Sequence, residues 1–149
     1  MLGESVRDPT TVSPEVEATN DRLASAHPID SYYANSIWAV RAIERRRLAI
    51  IRAFMGDVRG LDVLEVGSGG GHVLAMFPGA RLVGVDVSDH YLAIARRRLA
   101  GYDATLIKGE LPRLALESAR FDRIVCTEVL EHTQDPEAIL GEIRRLLRP

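Results

Sequence analysis

A glycine-rich stretch at residues 63–72 contains the residues whose types and spacing could do chemistry. Four glycines fall within five positions, namely Gly67, Gly69, Gly70 and Gly71. Because glycine lacks a Cβ atom and tolerates positive φ, such a run lets a ligand lie against main-chain N–H groups. Glu65 precedes the first glycine by two positions. A fixed carboxylate there repels phosphate and attracts a cation, so the loop suits a positively charged ligand without a pyrophosphate.

The loop does not match the dinucleotide-binding pattern G-x-G-x-x-G, because the third glycine would fall at His72. A second acid, Asp86, ends the next apolar stretch and follows Gly67 by 19 positions. In nucleotide-binding α/β folds, an acid about 20 residues beyond a glycine loop accepts hydrogen bonds from ribose hydroxyls. Asp86 therefore suits any nucleoside ligand, whereas Glu65 and His72 disfavour a nicotinamide dinucleotide and the oxidoreductase function that it would imply.

The spacing Glu-x-Gly-x-Gly-x-Gly at residues 65–71 resembles the first motif of class I S-adenosylmethionine-dependent methyltransferases. The cofactor of that family carries a sulfonium and an α-ammonium group. The resemblance implies that Glu65 faces the amino-acid end of the cofactor and that Asp86, with Val87 after it, lies at the ribose. It assigns the floor of the cofactor site to Gly67, Ser68, Gly69 and Gly71.

The same resemblance assigns residues to a base pocket and to a cover over the cofactor. Residues 108–112 leave a third apolar stretch and resemble the family's third cofactor motif, so Glu110 would accept the adenine amino group. Gly109 and Leu111 would complete that pocket. The family more often has aspartate at this acid, one methylene shorter than Glu110. The family also uses an aromatic residue before the first strand, and Tyr33 is the candidate; packing of Tyr33 onto the core is the alternative.

Residues 121–132 closely resemble the motif after the fourth strand in the branch that methylates small molecules, such as the quinone-biosynthesis enzymes. This resemblance places Thr127 and Glu128 beside the cofactor. A hydroxyl acceptor needs a base, and His132 is the candidate because imidazole titrates near neutral pH. Glu128, Glu131 and His132 also form the pattern Glu-x-x-Glu-His, which some relatives use to bind a divalent ion. The favoured interpretation has no metal, and His132 could instead orient the loop.

The elements that must position these residues alternate as strands and helices, which is typical of parallel βαβ units. Apolar stretches predict four strands, at residues 63–66, 81–86, 104–107 and 121–127. Helical spacing and capping residues predict helices over residues 35–55, 89–99 and 136–147. The resemblance implies an α/β, Rossmann-like methyltransferase fold, with a parallel sheet in the order 3-2-1-4 and flanking helices. Ligands of such sheets bind at the carboxyl ends of the strands, where the glycine loop, Asp86, Glu110 and Glu128 fall.

For two of the helices, the sequence predicts which side chains are buried. On the first, we expect the apolar side to lie on the sheet and an arginine run to form a solvated face. The apolar residues are Ile37, Val40, Ile43, Ile50, Ile51 and Phe54, and the arginines are Arg45, Arg46 and Arg47. On the last, the expected buried stripe is Ile139, Ile143, Leu146 and Leu147.

The resembled fold has seven strands in the order 3-2-1-4-5-7-6, and strands five to seven are not recognised in these 149 residues. We expect residues 1–27 to be a mobile tail and residues 28–149 to be the cofactor-binding, N-terminal part of a methyltransferase domain. Three interpretations stay open: a fragment of a longer enzyme, a half-domain completed by a partner chain, or a degenerate module that binds S-adenosylmethionine without catalysis. The first is favoured, with a small molecule as the methyl acceptor.

Composition mainly excludes functions. The net charge of −2 provides no general attraction to nucleic acid or to a membrane surface. No apolar run approaches the roughly 20 residues of a membrane helix, and the N-terminus lacks a signal-peptide core. Cys126 is the single cysteine, so no intrachain disulfide forms. A cytoplasmic protein that binds neither nucleic acid nor membrane is expected.

Overall fold

The computed structural model describes residues 38–149 together with the isolated position Ala18. The expectations for Tyr33 and for the tail at residues 1–27 therefore lie outside the described residues. The described chain contains helices α1 (Trp38–Met55), α2 (Asp89–Arg98) and α3 (Pro136–Leu146), and strands β1 (Asp62–Val66), β2 (Arg81–Asp86), β3 (Ala104–Lys108) and β4 (Arg123–Cys126). Short 3₁₀ turns follow three of the strands, at Leu74–Met76, Leu111–Arg113 and Leu130–His132. No helix in this part of the chain is long and apolar enough to cross a membrane.

The four strands form one parallel sheet in the order β3-β2-β1-β4, which confirms the expected fold class. The sheet has apolar side chains on both faces because successive residues of a strand point to opposite sides. One face buries Val63 and Leu82 beneath α1, and the other buries Leu64 and Val83 against α3. A sheet buried on both faces explains why its strands read as continuous apolar stretches.

The helix starts agree with the sequence signals. The Ser88 hydroxyl accepts a hydrogen bond from the Tyr91 N–H at the start of α2, at 3.3 Å. The Asp135 carboxylate accepts one from the Ala138 N–H at the start of α3, at 2.9 Å, and Pro136 opens that helix. These caps satisfy N–H groups that have no partner within the helix. The caps therefore fix the residues at which these two helices begin.

The prediction for the buried side of α1 is confirmed for Ile51 and wrong for three other apolar residues, while Ile37 lies outside the described residues. Ile43 and Phe54 are 66% and 86% exposed, and Ile50 is exposed as well. The sheet is contacted by Ile51 together with Leu48 and Met55, which are not in the predicted set. Both sets recur at helical spacing, on neighbouring sides of the same helix, and only the second set meets the sheet. The exposed side therefore leaves three large apolar side chains without cover from the described residues.

The fourth strand is shorter than expected, because it begins after Phe121, and the last helix ends one residue earlier than expected. Phe121 does not join β4; it makes a single parallel bridge with Leu147, because its carbonyl accepts the Arg148 N–H. Leu147 is consequently 40% exposed rather than part of the buried stripe of α3, whereas Ile139 and Leu146 are buried as predicted.

An ion-pair network lies at the amino-terminal ends of the strands, on the side of the sheet opposite to the glycine loop. Asp62, at the start of β1, accepts hydrogen bonds from Arg81 on β2 at 2.7 and 2.8 Å. Arg148 then bridges Asp62 and Asp122, at 3.1 and 2.7 Å. The network ties the segment after α3 to the first two strands, and it holds the pKa of Asp62 at about 2, chiefly through the Arg81 hydrogen bonds.

Candidate functional site

The glycine loop turns sharply at the carboxyl end of β1. Gly67 has φ +72°, a region in which a residue with a Cβ atom is strained. The N–H groups of Gly67 and Ser68 both donate to the Val85 carbonyl of β2, at 2.8 and 2.9 Å. The Gly71 N–H donates back to the Ser68 carbonyl at 2.8 Å. The loop is thus held at the carboxyl edge of β1 and β2, where parallel sheets bind ligands.

Asp86 ends β2 beside this loop and fixes two backbone groups. One carboxylate oxygen accepts the Gly69 N–H at 2.8 Å, and the other accepts the Ser88 N–H at 2.9 Å. Asp86 therefore orients the glycine loop and the start of α2. Val87, between Asp86 and Ser88, is partly buried.

Glu65 is a buried carboxyl group with an unmatched oxygen. It is 3% exposed, and its Oε2 atom has no hydrogen-bond partner among the described residues. Burial raises the pKa of Glu65 to about 8, and the charge of Asp86 raises it as well. A backbone hydrogen bond from Leu74 and the charge of Arg47 act in the opposite direction. The group is therefore mainly protonated at neutral pH, and a cation placed at Oε2 would favour its ionised form.

The space around the loop is closed at one glycine and open at another. A Cβ atom on Gly67 would lie 2.3 Å from Cγ2 of Val129, so the segment after β4 rests directly on this residue. A Cβ atom on Gly69, by contrast, would meet nothing within 4 Å. The buried Ser68 hydroxyl, between them, has no hydrogen-bond partner among the described residues. A ligand can approach the loop backbone at Gly69 and not at Gly67.

Arg47 on α1 is a site residue that the sequence analysis missed. Its guanidinium pairs with Glu128 after β4 at 2.9 Å and with Glu44 at 3.0 Å. The expected solvated face thus holds for the exposed Arg45 and Arg46 but not for Arg47. Arg47 lies between the exposed side of α1 and the side that contacts the sheet, and this position brings it over the strand ends. Its spacing of three residues from Glu44 was the available sequence signal.

The proposed base pocket lies where β3 ends. The Gly109 N–H donates to the Asp86 carbonyl at 3.0 Å, which ties the segment after β3 to the end of β2. Leu111 is buried beneath a 3₁₀ turn, and Glu110 is partly buried. The Glu110 carboxylate pairs with Arg113 at 3.3 Å. The structure therefore brings Gly109, Glu110 and Leu111 to the same edge as Asp86.

In the described residues, the structure does not gather the Glu-x-x-Glu-His side chains after β4 into one cluster. Glu128 adopts φ +56° and pairs with Arg47, while Glu131 and His132 are exposed on the short turn Leu130–His132. Within residues 38–149, no three His, Cys, Asp or Glu side chains converge in a way that could hold an ion. The Glu-x-x-Glu-His pattern consequently has no structural support as a ligand set. Thr127 is partly buried at the end of β4.

Comparison with known proteins agrees with this geometry. Residues 64–149, more than half of the chain, match the family described as a methyltransferase domain. The chain is 34% identical to the ubiquinone biosynthesis O-methyltransferase of Bordetella avium over 118 residues, which are 74% of this chain and 48% of that protein. It is 32% identical to the enzyme of the same name from Leptothrix cholodnii, covering 69% of this chain and 46% of that protein. The chain spans about half the length of these curated relatives.

Solved structures give the same result. Phosphoethanolamine N-methyltransferase 2 of Haemonchus contortus, in complex with S-adenosyl-L-methionine, superposes with a TM-score of 0.63 at 26% identity. The match covers 70% of this chain and 26% of that protein. A putative methyltransferase from Bacillus halodurans superposes with a TM-score of 0.61, also at 26% identity, over 68% of this chain and 46% of that one.

Proposed function

Because the chain belongs to the methyltransferase-domain family, whose cofactor is S-adenosylmethionine, we propose that it binds this cofactor on the glycine loop and serves methyl transfer to a small-molecule acceptor. The observation that carries the proposal is the buried Glu65 carboxyl with its unmatched oxygen. A buried polar atom without a partner destabilises the fold unless a ligand supplies the partner. The α-ammonium group of the cofactor is a partner of the right charge.

The other acid at this edge has a separate role in the proposal. Asp86 accepts the ribose hydroxyls from its position at the end of β2, beside the glycine loop whose Gly69 N–H it binds. Gly109, Glu110 and Leu111 bound the adenine ring, and the Glu110 carboxylate turns from Arg113 to the exocyclic amino group. The opening above Gly69 receives the amino-acid end of the cofactor.

Binding and orientation account for most of what this chain contributes to methyl transfer. The sulfonium of the bound cofactor supplies an electrophilic methyl group. Thr127 and Glu128 lie beside the cofactor, and Arg47 holds the segment that carries Glu128 in place through the ion pair. For a hydroxyl acceptor, His132 takes the proton at an imidazole nitrogen, from a turn at the same edge of the sheet.

The relatives include an O-methyltransferase and an N-methyltransferase, so the acceptor atom needs a direct test. We expect the hydroxyl class, because that chemistry uses a base and His132 follows β4 on an exposed turn. A non-catalytic module that binds S-adenosylmethionine is the alternative. Such a module uses Glu65 and Asp86 in the same way and does not use His132.

Calorimetric titration of the 149-residue chain with S-adenosylmethionine, S-adenosylhomocysteine and NAD tests the cofactor site. We expect binding of both sulfur ligands and not of NAD, with weaker binding in Glu65→Gln and Asp86→Asn. Glu117→Gln, which changes an exposed acid, is the matched control and should bind as the parent does. A chain that is folded by circular dichroism and binds neither sulfur ligand would contradict the proposal.

Transfer of a labelled methyl group to a panel of phenols, amines and thiols tests the reaction. Turnover with phenols that falls in His132→Asn, while S-adenosylhomocysteine binding stays unchanged, would support the hydroxyl class. Turnover confined to amines or thiols would exclude that class. Tight cofactor binding without any turnover would favour the non-catalytic module.

A further inference from the structure

Arg98, the last residue of α2, reaches back to the glycine loop. Its Nη1 atom donates a hydrogen bond to the carbonyl oxygen of Gly70, a residue 28 positions earlier in the chain. Arg98 is partly buried, whereas its neighbours Arg96 and Arg97 are exposed. The three arginines share the favourable position at a helix C-terminus, so the helix dipole alone does not explain why one of them turns inward.

The loop is held from its other side by a charge of opposite sign. The Asp86 carboxylate accepts the Gly69 N–H at 2.8 Å. An anion therefore holds an N–H group and a cation holds a carbonyl group on two consecutive residues of the loop. Hydrogen bonds with one charged partner are stronger than neutral ones. Together they restrict the peptide segment between Gly69 and Gly70, which is where the open side of the loop lies.

The identity of residue 70 fits this arrangement. A Cβ atom on Gly70 would lie 2.9 Å from Nη1 of Arg98 and 3.2 Å from Cγ2 of Ile94. Unlike Gly67, Gly69 and Gly71, Gly70 does not have a positive φ, so its backbone conformation accepts a side chain. Glycine at this position thus leaves room for the guanidinium group. The conformational freedom of glycine is not required at residue 70.

We propose that Arg98 is a positioning residue that holds the glycine loop in the conformation that binds the ligand, acting through the Gly70 carbonyl. The ligand part of this inference rests on the proposed function; the part that concerns the loop does not. The dissociation constant of a ligand that binds only the held conformation rises as the fraction of molecules in that conformation falls. Loss of a charge-assisted hydrogen bond lowers the equilibrium constant for holding the loop about tenfold, so the dissociation constant rises by up to the same factor.

The first experiment measures the loop in the ligand-free protein. Hydrogen exchange of the glycine amides, followed by NMR in ¹⁵N-glycine-labelled protein, reports the Gly71 N–H that donates to Ser68. Arg98→Ala should lower its protection about tenfold, and Arg98→Lys should lower it less, because an ammonium group can still donate. Gly70→Ala should act like Arg98→Ala without removing a charge. Arg97→Ala removes the same charge from an exposed position on α2 and should change nothing.

The second experiment measures binding of S-adenosylhomocysteine to the same variants. Its dissociation constant should rise by up to about tenfold in Arg98→Ala and in Gly70→Ala, and the double variant should be no weaker than either single one, since both remove one interaction. Additive losses would overturn the proposal. Unchanged Gly71 protection in Arg98→Ala, with only a lower melting temperature, would also overturn it and leave Arg98 a structural cation. Reduced protection together with no binding by the parent chain would support the loop role and contradict the proposed function.

Discussion

Replacing Glu65 with glutamine tests whether a carboxyl group is buried in its neutral form beneath the glycine loop. Glutamine has nearly the same shape and does not titrate. The pKa of Glu65 is raised from an ordinary 4.5 to about 8, mainly by burial. The folded chain therefore keeps a proton that the unfolded chain releases once the pH passes 4.5. The resulting stabilisation is fully present below pH 4.5 and is lost as the pH rises through 8.

The size of this loss follows from the two pKa values. Between pH 5 and pH 8, the unfolded carboxyl is ionised almost throughout, while the folded one becomes half ionised only at the upper end. Linkage converts this difference to a loss of about 3 kcal/mol in the free energy of unfolding, relative to a variant without the group. Such a loss is a large fraction of the stability of a typical small domain.

Urea unfolding of the parent chain and of Glu65→Gln at pH 5, 6, 7 and 8 measures this quantity. The difference in free energy of unfolding between the two proteins cancels the contributions of the other titrating groups. We expect the glutamine variant to gain about 3 kcal/mol on the parent between pH 5 and pH 8. Glu117→Gln, at an exposed position, should instead run parallel to the parent. Parallel profiles for Glu65→Gln would refute the reasoning, since they would mean that the buried carboxyl is ionised in the folded chain.

A cationic ligand should reverse this protonation. If the ammonium group of S-adenosylhomocysteine meets Glu65, binding at pH 7 should release close to one proton, because the carboxyl with a pKa of about 8 is then mainly protonated beforehand. The dissociation constant should fall about tenfold from pH 6 to pH 7 in the parent and stay level in Glu65→Gln. Calorimetry in buffers of different ionisation enthalpy counts the protons. Binding without proton release would separate the ligand from this carboxyl.

Two further predictions concern the frame around the site. Arg81→Ala should lower the free energy of unfolding at pH 6. This loss should shrink as the pH falls from about 4 towards 2, because hydrogen bonds from Arg81 are the main cause of the low pKa of Asp62. A loss that persists unchanged at pH 2 in urea titrations would contradict this explanation. Gly67→Ala should cost about 2 kcal/mol or more, through its positive φ and the contact with Val129, whereas Gly69→Ala should cost about 1 kcal/mol. Adding Val129→Ala should restore part of the first loss in the same assay, and equal costs at the two glycines would argue against the steric contact.

The strands and the glycine loop could be predicted because their signals are local. A strand buried on both faces, such as β2, appears as an unbroken apolar stretch whatever surrounds it. A loop that needs positive φ requires glycine at fixed positions, as at Gly67. The caps at Ser88 and Asp135 depend on contacts within three residues. Each of these features is determined by neighbours in the sequence, so the sequence alone suffices to place it.

The orientation of α1 could not be predicted because two of its sides are apolar. Helical spacing recurs in Ile43, Ile50 and Phe54 and again in Leu48 and Ile51, and periodicity does not say which set meets the sheet. The role of Arg47 depends on that choice, since only the observed orientation brings it to Glu128. The Arg98 contact with Gly70 joins residues far apart in the chain, and no spacing rule identifies it.

Glu65 also shows why the site is better explained by a ligand than by folding. Its strand, β1, is otherwise apolar from Val63 to Val66, and a valine at its place would avoid both the unmatched Oε2 atom and the loss of stability above pH 4.5. The charge of Arg47 lowers the pKa of Glu65, but burial outweighs it, so the carboxyl stays mainly neutral at pH 7 until a closer cation arrives. A neutral carboxyl needs no counter-ion in the ligand-free chain, and an ionised one attracts an ammonium group strongly in a water-poor site. The residue that weakens the fold is therefore the one that we propose distinguishes a cationic nucleoside from a phosphate-bearing one.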